Sequence, residues 1–304
     1  MTAKNIQESL AKKINSSRIL PDCDMSQYTS FRAGGRAAFL ILPETTEELK
    51  FALTILAGSG LPYLVMGNGS NLLVRDGGYQ GAIVKLGEAF SWTEVQDGRI
   101  TAGSGSLLSA VAQEALKAGL TGFEFACGIP GSLGGAVFMN AGAYDGELAR
   151  VIREAGVVSK DGGREYTLSR EELDLGYRHS ALQDTGDVVV SATLQLQQGD
   201  SEAIRAAMED LMARRNARQP LSFPSAGSFF KRPEGYFAGK LIHDAGLSGL
   251  SVGGAQVSTL HNGFLVNADH ATATDIIRLM TIIQATVLDE FGVTLEPEVR
   301  IIGE

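Results

Sequence analysis

The sequence predicts an α+β protein in which helices and strands alternate through three successive units. The chain has 304 residues, 44% of them hydrophobic, which is enough for a substantial core but long for a single one. Apolar residues recur with helical spacing in some segments and strand spacing in others. Glycine contributes 37 residues, and many cluster between 67 and 146. In that segment the chain must turn tightly or let a ligand approach its backbone.

Composition excludes several classes of protein. The formal net charge of -9 opposes a surface built to neutralise a nucleic acid, so any phosphate binding must be local. Near the start, Ile6, Leu10 and Ile14 are spaced as in an amphipathic helix, not a secretory signal. No apolar run approaches the roughly 20 residues that span a bilayer. Cys23 and Cys127 form neither a disulfide framework nor a CxxC metal pair. We therefore expect a cytoplasmic protein that binds no nucleic acid and does not insert into membranes. We also expect a monomer, although the sequence contains no direct signal of oligomeric state.

The first predicted unit covers residues 1–86. Thr45 and Glu48 have capping-box spacing, so a helix should begin near Thr46. A strand over 63–66 follows, then the glycine-rich loop 67–71, then a strand over 82–86.

The second predicted unit covers residues 87–218. It contains a helix near 107–117, a glycine-rich segment over 128–142, and strands near 151–158 and 187–196. A helix over 201–217 closes it. The arginines at the end of that helix (Arg214, Arg215 and Arg218), followed by Pro220, are typical of a helix C-terminus and mark a boundary.

The third predicted unit covers residues 219–292. We expect a helix over 236–245, strands near 251–258 and 263–267, and a long helix from about 274 to 291. A closing strand over 293–302 should follow, and the segment 293–304 is a candidate to return to the first unit.

Glycine-rich loops bind phosphate because successive backbone N–H groups point into one concavity. A P-loop is excluded, since Leu241 follows Gly239-Lys240 and Glu234 stands where its first glycine belongs. A dinucleotide fingerprint also fails, because Leu72 and Leu108 replace the third glycine of GxGxxG. Two separate loops, 67–71 and 128–135, would have to close on a diphosphate. The alternative is that both are ordinary tight turns between strands and helices.

Several unusual segments occur in one order from residue 28 to the end, and together they resemble the UDP-N-acetylenolpyruvoylglucosamine reductase family. They are Tyr28-Thr29-Ser30-Phe31-Arg32-Ala33-Gly34-Gly35, Gly67-Asn68-Gly69-Ser70-Asn71, Gly128-Ile129-Pro130-Gly131-Ser132-Leu133-Gly134-Gly135, Asn140-Ala141-Gly142-Ala143, Tyr177-Arg178-His179-Ser180, Ser225-Ala226-Gly227-Ser228-Phe229-Phe230-Lys231, Ala238-Gly239-Lys240-Leu241-Ile242 and Leu295-Glu296-Pro297-Glu298-Val299-Arg300. The resemblance implies a vanillyl-alcohol-oxidase/PCMH-type FAD-binding fold. Two α/β lobes, 1–86 and 87–218, would grip an extended flavin, and the lobe 219–292 would bind substrate.

The resemblance also implies the cofactors. FAD would be held by Gly67, Asn68, Gly69, Ser70, Asn71, Gly128, Ile129, Pro130, Gly131, Ser132, Gly134, Gly135, Asn140, Gly142 and Arg300. NADPH would supply hydride. Relatives of this fold that attach FAD covalently usually carry histidine in the first loop, and residues 67–71 contain none. We therefore expect noncovalent FAD.

The family reaction passes hydride from NADPH to FAD and then to the enolpyruvyl group of a UDP-sugar. By similarity, Ser228 donates the proton that completes the reduction. Arg178 is the candidate for the substrate carboxylate, because a guanidinium fork matches two oxygens. Glu298 resembles the catalytic glutamate, with its pKa raised or its carboxyl paired with an arginine. Lys240, Lys231 and Asn262 are candidates for substrate binding, the two lysines for the diphosphate.

Each candidate also has a purely structural interpretation. Ser228 could be a turn residue, Arg178 a surface arginine, and the lysines solvated charges. Glu296 and Glu298 could both be outward positions of a last strand. Histidines 179, 243, 261 and 270 have no metal-ligand spacing, so no metal is expected.

Two departures from the family pattern stand out. The short path from Ser228 to Gly254 leaves no room for the tyrosine-bearing loop of some members, and Arg232 replaces a common asparagine. The competing functions are an oxidase of the same flavin fold and a non-catalytic nucleotide-sugar-binding module.

Overall fold

The computed structural model describes residues 2–304, which form two compact units. Unit 1 consists of residues 2–21, 39–68 and 81–215, and unit 2 of residues 22–38, 69–80 and 216–304. No helix among these residues has the length and apolar character needed to cross a bilayer. The division into three lobes at 1–86, 87–218 and 219–292 stays a prediction.

The described chain contains eight α-helices. They are α1 (Ala3–Leu10), α2 (Thr46–Ser59), α3 (Leu108–Lys117), α4 (Leu133–Met139), α5 (Leu182–Thr185), α6 (Ser201–Arg218), α7 (Ala238–Asp244) and α8 (Ala273–Phe291). At the start of α2 the Thr45 hydroxyl accepts a hydrogen bond from Glu48 N. At the start of α8, Thr272 and Asp275 form a reciprocal capping box. These side chains satisfy N–H groups that a helix cannot pair internally.

Residues 2–304 also contain nineteen strands and five short 3-10 helices. The strands are β1 (Ile19–Asp24), β2 (Arg36–Ile41), β3 (Tyr63–Met66), β4 (Leu72–Val74), β5 (Tyr79–Lys85), β6 (Thr93–Gln96), β7 (Arg99–Gly103), β8 (Leu120–Thr121), β9 (Gly142–Ala143), β10 (Gly146–Glu147), β11 (Ile152–Val158), β12 (Glu165–Ser169), β13 (Val188–Gln195), β14 (Gln197–Gln198), β15 (Ser225–Ser228), β16 (Ser251–Val252), β17 (Ala255–Val257), β18 (Phe264–Asn267) and β19 (Arg300–Ile302). The mixture of helices and sheets confirms the predicted α+β class.

Two sheets support the two glycine-rich segments, 67–71 and 128–135. The first has the order β1-β2-β5-β3 and contains a parallel pair in which Met66 of β3 lies opposite Lys85 of β5. The second is antiparallel with the order β12-β11-β13-β7-β6. Helices α3 and α4 contact its central strands, and their apolar side chains join the core of unit 1. The carboxyl ends of β3 and β5 therefore meet at one edge, where the loop 67–71 begins.

Unit 2 is built on the antiparallel sheet β15-β18-β17-β16, against which α8 packs. Its core includes the fully buried rings of Phe31 and Phe229, whose centroids lie 6.1 Å apart. The last strand, β19, pairs in parallel with β4, and Arg300 lies opposite Leu72. Residues 300–302 and the segment after the first glycine loop thus share one ladder.

The predicted elements are confirmed at several bounds. Helix α2 begins at Thr46, β3 spans Tyr63–Met66, and the helices expected near 107–117, 201–217 and 274–291 are present as α3, α6 and α8.

Three predictions of local structure are wrong. The closing strand covers only Arg300–Ile302, because residues 296–298 pair instead with residues 229–231 in a separate antiparallel bridge. The segment 251–258 is a hairpin that turns at Gly253, whose φ of +53° suits glycine. Helix α1 ends at Leu10, although Ile14 beyond it is still buried.

Candidate active site

The first glycine loop, residues 67–71, leaves the end of β3. The carbonyl of Gly67 accepts a hydrogen bond from Lys85 Nζ at 3.0 Å. Gly69 is buried and has a φ of +67°, a conformation that glycine adopts without steric cost. Within residues 2–304, the backbone N–H groups of 68–71 donate to no acceptor. Gly69 is the buried residue among these four, and buried N–H groups are nearly always paired, so its N–H is suited to an external acceptor.

The second glycine segment, residues 128–135, is anchored by backbone hydrogen bonds at its far end. Leu133 N donates to Ser106 O and Gly134 N to Ser104 O, each at 2.8 Å. A Cβ on Gly134 would lie 2.8 Å from Ser104 Cβ, closer than side chains pack. Gly134 is therefore needed for packing. This fits the structural interpretation of the segment as a tight turn between a strand and a helix. That requirement is independent of any contact with FAD.

The two segments touch each other within unit 1. Asn68 Nδ2 donates to Pro130 O at 3.4 Å, and a Cβ on Gly67 would collide with Ser132 Oγ. Ser132 Oγ is buried and has no hydrogen-bond partner within the described chain. Such a hydroxyl costs free energy unless something bonds to it. Because residue 67 has no side chain, the two segments can approach closely here. The Ser132 hydroxyl provides an unpaired polar atom at the point where they meet.

Arg178 occupies the tip of a tight turn in which Gly176 and His179 exchange backbone hydrogen bonds. Its φ of +56° is unusual for a side chain other than glycine and costs about 1–2 kcal/mol. Asn140 Nδ2 holds the turn through Gly176 O at 2.9 Å, and Gln183 Nε2 holds it through Arg178 O at 2.9 Å. The turn is strained and braced, which is the pattern of a side chain held for function.

The amide of Asn140 is used within the protein. Besides Gly176, it donates to Glu147 Oε2 at 3.2 Å and accepts from Ala149 N at 2.9 Å. The structure therefore assigns this side chain to supporting the turn of Arg178. Its predicted contact with FAD stays a prediction, as does that of Gly142, where a Cβ would lie 2.6 Å from Gly146 O.

Unit 2 brings Ser228, Glu298 and the end of the first loop together through its backbone. Ser228 is exposed at the end of β15, after Gly227 with a φ of +77°. The next residue, Phe229, is fully buried and its carbonyl accepts from Glu298 N at 2.8 Å. Asn71 Nδ2 donates to Glu298 O at 3.1 Å, and Asn71 O accepts from Arg300 N at 3.1 Å. The sequence-predicted residues 71, 228, 298 and 300 are therefore neighbours along one set of paired segments.

The predicted substrate-binding lysines both form ion pairs inside unit 2. Lys231 Nζ lies 2.5 Å from Glu296 Oε1, and Lys240 Nζ lies 2.6 Å from Asp244 Oδ2. Glu296 is thus engaged by a lysine. Asn262 is buried, and its Nδ2 has no partner within residues 2–304. Of the three, only Asn262 presents an unsatisfied polar atom.

Arg215, which the sequence predicts only as a charge at a helix end, lies near the second segment. Its Cδ would lie 2.9 Å from a Cβ on Gly128. The guanidinium is partly buried, burial lowers its pKa, and no carboxylate in the described chain pairs with it. A half-buried cation without a carboxylate is suited to an anionic ligand. On α6, Arg215 faces a different direction from Arg214, because successive helical residues are about 100° apart. Arg214 and Arg218 are exposed and Arg215 is partly buried.

These features fit the diphosphate of FAD. Within unit 1, Asn68 offers a free backbone N–H group and Ser132 offers a free hydroxyl. Amides in a glycine-rich concavity bind phosphate without a dinucleotide fold of the GxGxxG type.

Among residues 2–304, no group of three or more His, Cys, Asp or Glu is arranged to hold a metal ion.

Comparison with known proteins defines the class first. Residues 37–167 match a family described as FAD binding domain. The glucose dehydrogenase Phl p 4.0202 shares the fold with a TM-score of 0.52 at 13% identity, over 95% of this chain and 63% of that one. The fold and the two amide-lined segments define an FAD-binding protein of the vanillyl-alcohol-oxidase/PCMH type, which confirms the predicted fold.

The particular family follows from closer relatives. Residues 219–302 match the family described as UDP-N-acetylenolpyruvoylglucosamine reductase, C-terminal domain. The reductase of that name from Clostridium botulinum (strain Eklund 17B / Type B) is 50% identical over 302 residues, 99% of this chain and 98% of its own. The solved UDP-N-acetylenolpyruvylglucosamine reductase (MurB) from Thermus caldophilus has a TM-score of 0.81 at 37% identity, over 94% of this chain and 99% of that one. The chain belongs to the UDP-N-acetylenolpyruvoylglucosamine reductase family.

Proposed function

We propose that this protein uses NADPH and FAD to reduce UDP-N-acetylglucosamine enolpyruvate to UDP-N-acetylmuramate, a precursor of peptidoglycan. The observation that carries the proposal is its 50% identity, along 99% of the chain, to a UDP-N-acetylenolpyruvoylglucosamine reductase. The aligned region includes both the FAD-binding part and the C-terminal part, to which we assign substrate binding.

We assign FAD binding to the two glycine segments. Residues 67–71 and 128–135 would bind the diphosphate through backbone N–H groups and the Ser132 hydroxyl, with Arg300, Asn140 and Gly142 as further candidates. When bound, FAD supplies the two-step hydride chemistry, from NADPH to the flavin and from the flavin to the enolpyruvyl carbon. The absence of histidine from the first loop supports noncovalent attachment.

Ser228 is the proposed proton donor. Hydride addition leaves negative charge on the carbon beside the substrate carboxylate, and a positioned hydroxyl completes the reduction by donating a proton to it. Two observations support this role. The side chain is exposed, so a substrate can reach it, and the buried ring of Phe229 fixes the backbone next to it.

Arg178 and Glu298 are proposed to manage the charge of the substrate carboxylate. A guanidinium is charged at every working pH and matches two oxygens, and the strained turn holds Arg178 in one place. Glu298 is tied through its backbone to Phe229, the neighbour of Ser228. Asn262 is proposed to bond to the substrate through its free amide. Lys231 and Lys240 would exchange their carboxylate partners for the UDP diphosphate.

Stopped-flow mixing separates the two halves of the reaction. NADPH should bleach the flavin absorbance of the purified protein, and the enolpyruvyl sugar should restore it under anaerobic conditions. A flavin that responds to neither compound, or that is restored only by oxygen, would refute the reductase and favour an oxidase of the same fold.

Ser228→Ala tests the assigned role. We expect flavin reduction by NADPH at the wild-type rate and a loss of sugar-dependent reoxidation of at least about 100-fold, the usual scale of general acid catalysis. Ser222→Ala, at an exposed position of the same unit, is the matched control. Unchanged turnover of the Ser228 variant would exclude it as the donor.

We further propose that the protein acts as a monomer in the cytoplasm. Both cysteines, Cys23 and Cys127, are free thiols, which suits a reducing compartment. Light scattering on the purified holoenzyme tests the oligomeric state, and a dimer mass would refute the monomer.

A further inference from the structure

Lys85 stands at the root of the first glycine loop. It is the last residue of β5 and lies opposite Met66, the last residue of β3. Its Nζ donates to Gly67 O at 3.0 Å. In open sheets with parallel strands, ligands bind beyond the carboxyl ends of the strands. Lys85 is therefore placed where the sheet presents its ligand loop.

The ammonium of Lys85 has no carboxylate partner. It is partly buried, and within residues 2–304 its side chain makes only the hydrogen bond to Gly67. Burial lowers its pKa because desolvation disfavours the charged form. Lysines are rarely buried without a partner charge. An anionic group near the loop would offset this cost.

The hydrogen bond to Gly67 also orients the next peptide unit. In a trans peptide the C=O and the following N–H point in opposite directions. With Gly67 O directed at Lys85, the N–H of Asn68 is directed away from it, and that N–H has no acceptor in the described chain. Gly67 also abuts Ser132, whose hydroxyl is without a partner in the described chain. The hydrogen bond from Lys85 therefore fixes the direction of the Asn68 N–H, at the place where the two glycine segments meet.

We propose that Lys85 is a positioning residue for the diphosphate of the dinucleotide: it fixes the Gly67 peptide so that the loop amides face the anion, and it contributes positive charge from behind. The inference rests on the FAD binding assigned above. It adds a cation to a site that the glycine segments alone would build from neutral amides.

Titration of the apoprotein with FAD, followed by quenching of flavin fluorescence, tests the role without relying on turnover. Lys85→Met keeps the aliphatic stem and removes the donor and the charge. We expect it to raise the Kd for FAD by about 10- to 100-fold, the range for a lost charge-assisted hydrogen bond. Lys85→Arg should restore affinity to within about fivefold, and the difference between wild type and Lys85→Met should shrink as salt rises.

Lys117→Met is the matched control, because that lysine is exposed on α3 and pairs only with Glu114. It should leave the Kd for FAD unchanged. If Lys85→Met does not fold, Lys85→Gln replaces it. The inference is overturned by a Kd within twofold of wild type, or by a loss that arginine does not restore and salt does not alter. Failure of the wild-type apoprotein to bind FAD would instead refute the proposed function itself.

Discussion

Replacing Gly67 by alanine tests how closely the two glycine segments approach. A Cβ at this position would overlap Ser132 Oγ and lie 3.2 Å from Ser132 Cβ. The backbone of Gly67 is outside the left-handed region, so an alanine is not strained by its own φ. Any cost must come from the neighbour. The Ser132 side chain is buried, so its oxygen cannot turn out into solvent, and the overlap with that oxygen is the closer of the two contacts.

The expected magnitude follows from these two contacts. Overpacking by one methyl group costs about 1–3 kcal/mol, and the stiffer unfolded chain returns about 0.5 kcal/mol. Gly67→Ala should therefore lower the free energy of unfolding by about 1–2 kcal/mol. Ser132→Ala removes the overlapping oxygen and should be close to neutral alone. In the double variant most of the loss should be recovered, a coupling of about 1 kcal/mol.

Urea unfolding of the four apoproteins measures the cycle, with FAD left out so that ligand binding does not enter the free energies. Gly58→Ala is the control. That glycine is exposed in α2 with open space around its Cβ position, so alanine should stabilise by about 0.5–1 kcal/mol. Additive effects of the Gly67 and Ser132 changes would show that the two segments do not contact as described.

Two further predictions concern interactions within single units. Glu48 binds Arg18 through two hydrogen bonds of 2.5 and 2.8 Å, and this pairing lowers the pKa of Glu48. The contribution of the Arg18–Glu48 pair to the free energy of unfolding is therefore complete above a glutamate's ordinary pKa of about 4.3. It is lost as the pH falls through the lower pKa that Glu48 has in the folded protein. Glu48→Gln should cost about 1–2 kcal/mol at pH 7 and progressively less as the pH falls below about 4.3, and a loss that does not change with pH in thermal melts would contradict this. In unit 2, Asp76 accepts from Ala273 N at 2.9 Å and Thr274 N at 2.7 Å, so Asp76→Ala should destabilise α8 by about 1–2 kcal/mol in urea unfolding. A change below about 0.3 kcal/mol would mean that water replaces the carboxylate.

Local sequence signals were sufficient where a short segment determines its own structure. Thr45 caps the helix that the spacing of Thr45 and Glu48 predicts, and the apolar run 63–66 forms β3. The order of the family segments predicted the FAD-binding fold and the family, both of which the comparisons confirm. Backbone pairing brings Glu298 beside Phe229 and Arg300 beside Asn71, and the roles of Ser228, Glu298 and Arg300 stay predictions.

Contacts between distant segments could not be predicted from local patterns. Helix α4 begins within the glycine-rich segment, where two glycines oppose helix formation, and it is stabilised by packing of Gly134 against Ser104. Arg215 resembled one more charge at a helix end until its position over Gly128 was known. Lys85 lies within the strand predicted over 82–86, and no local pattern distinguishes it there. In both cases the ligand-facing character depends on which backbone lies opposite.

The interleaving of unit 2 has a consequence for synthesis of the protein. Asn267 Nδ2 bonds to Phe31 O across 236 residues of sequence, and the ring of Phe31 is buried only when the C-terminal segments are in place. A ribosome therefore releases an apolar stretch near residue 31 long before its packing partners exist. Such a stretch depends on chaperones or on rapid completion of the chain to escape aggregation. For the same reason, a recombinant fragment that stops before α8 would leave Phe31 without the core that covers it.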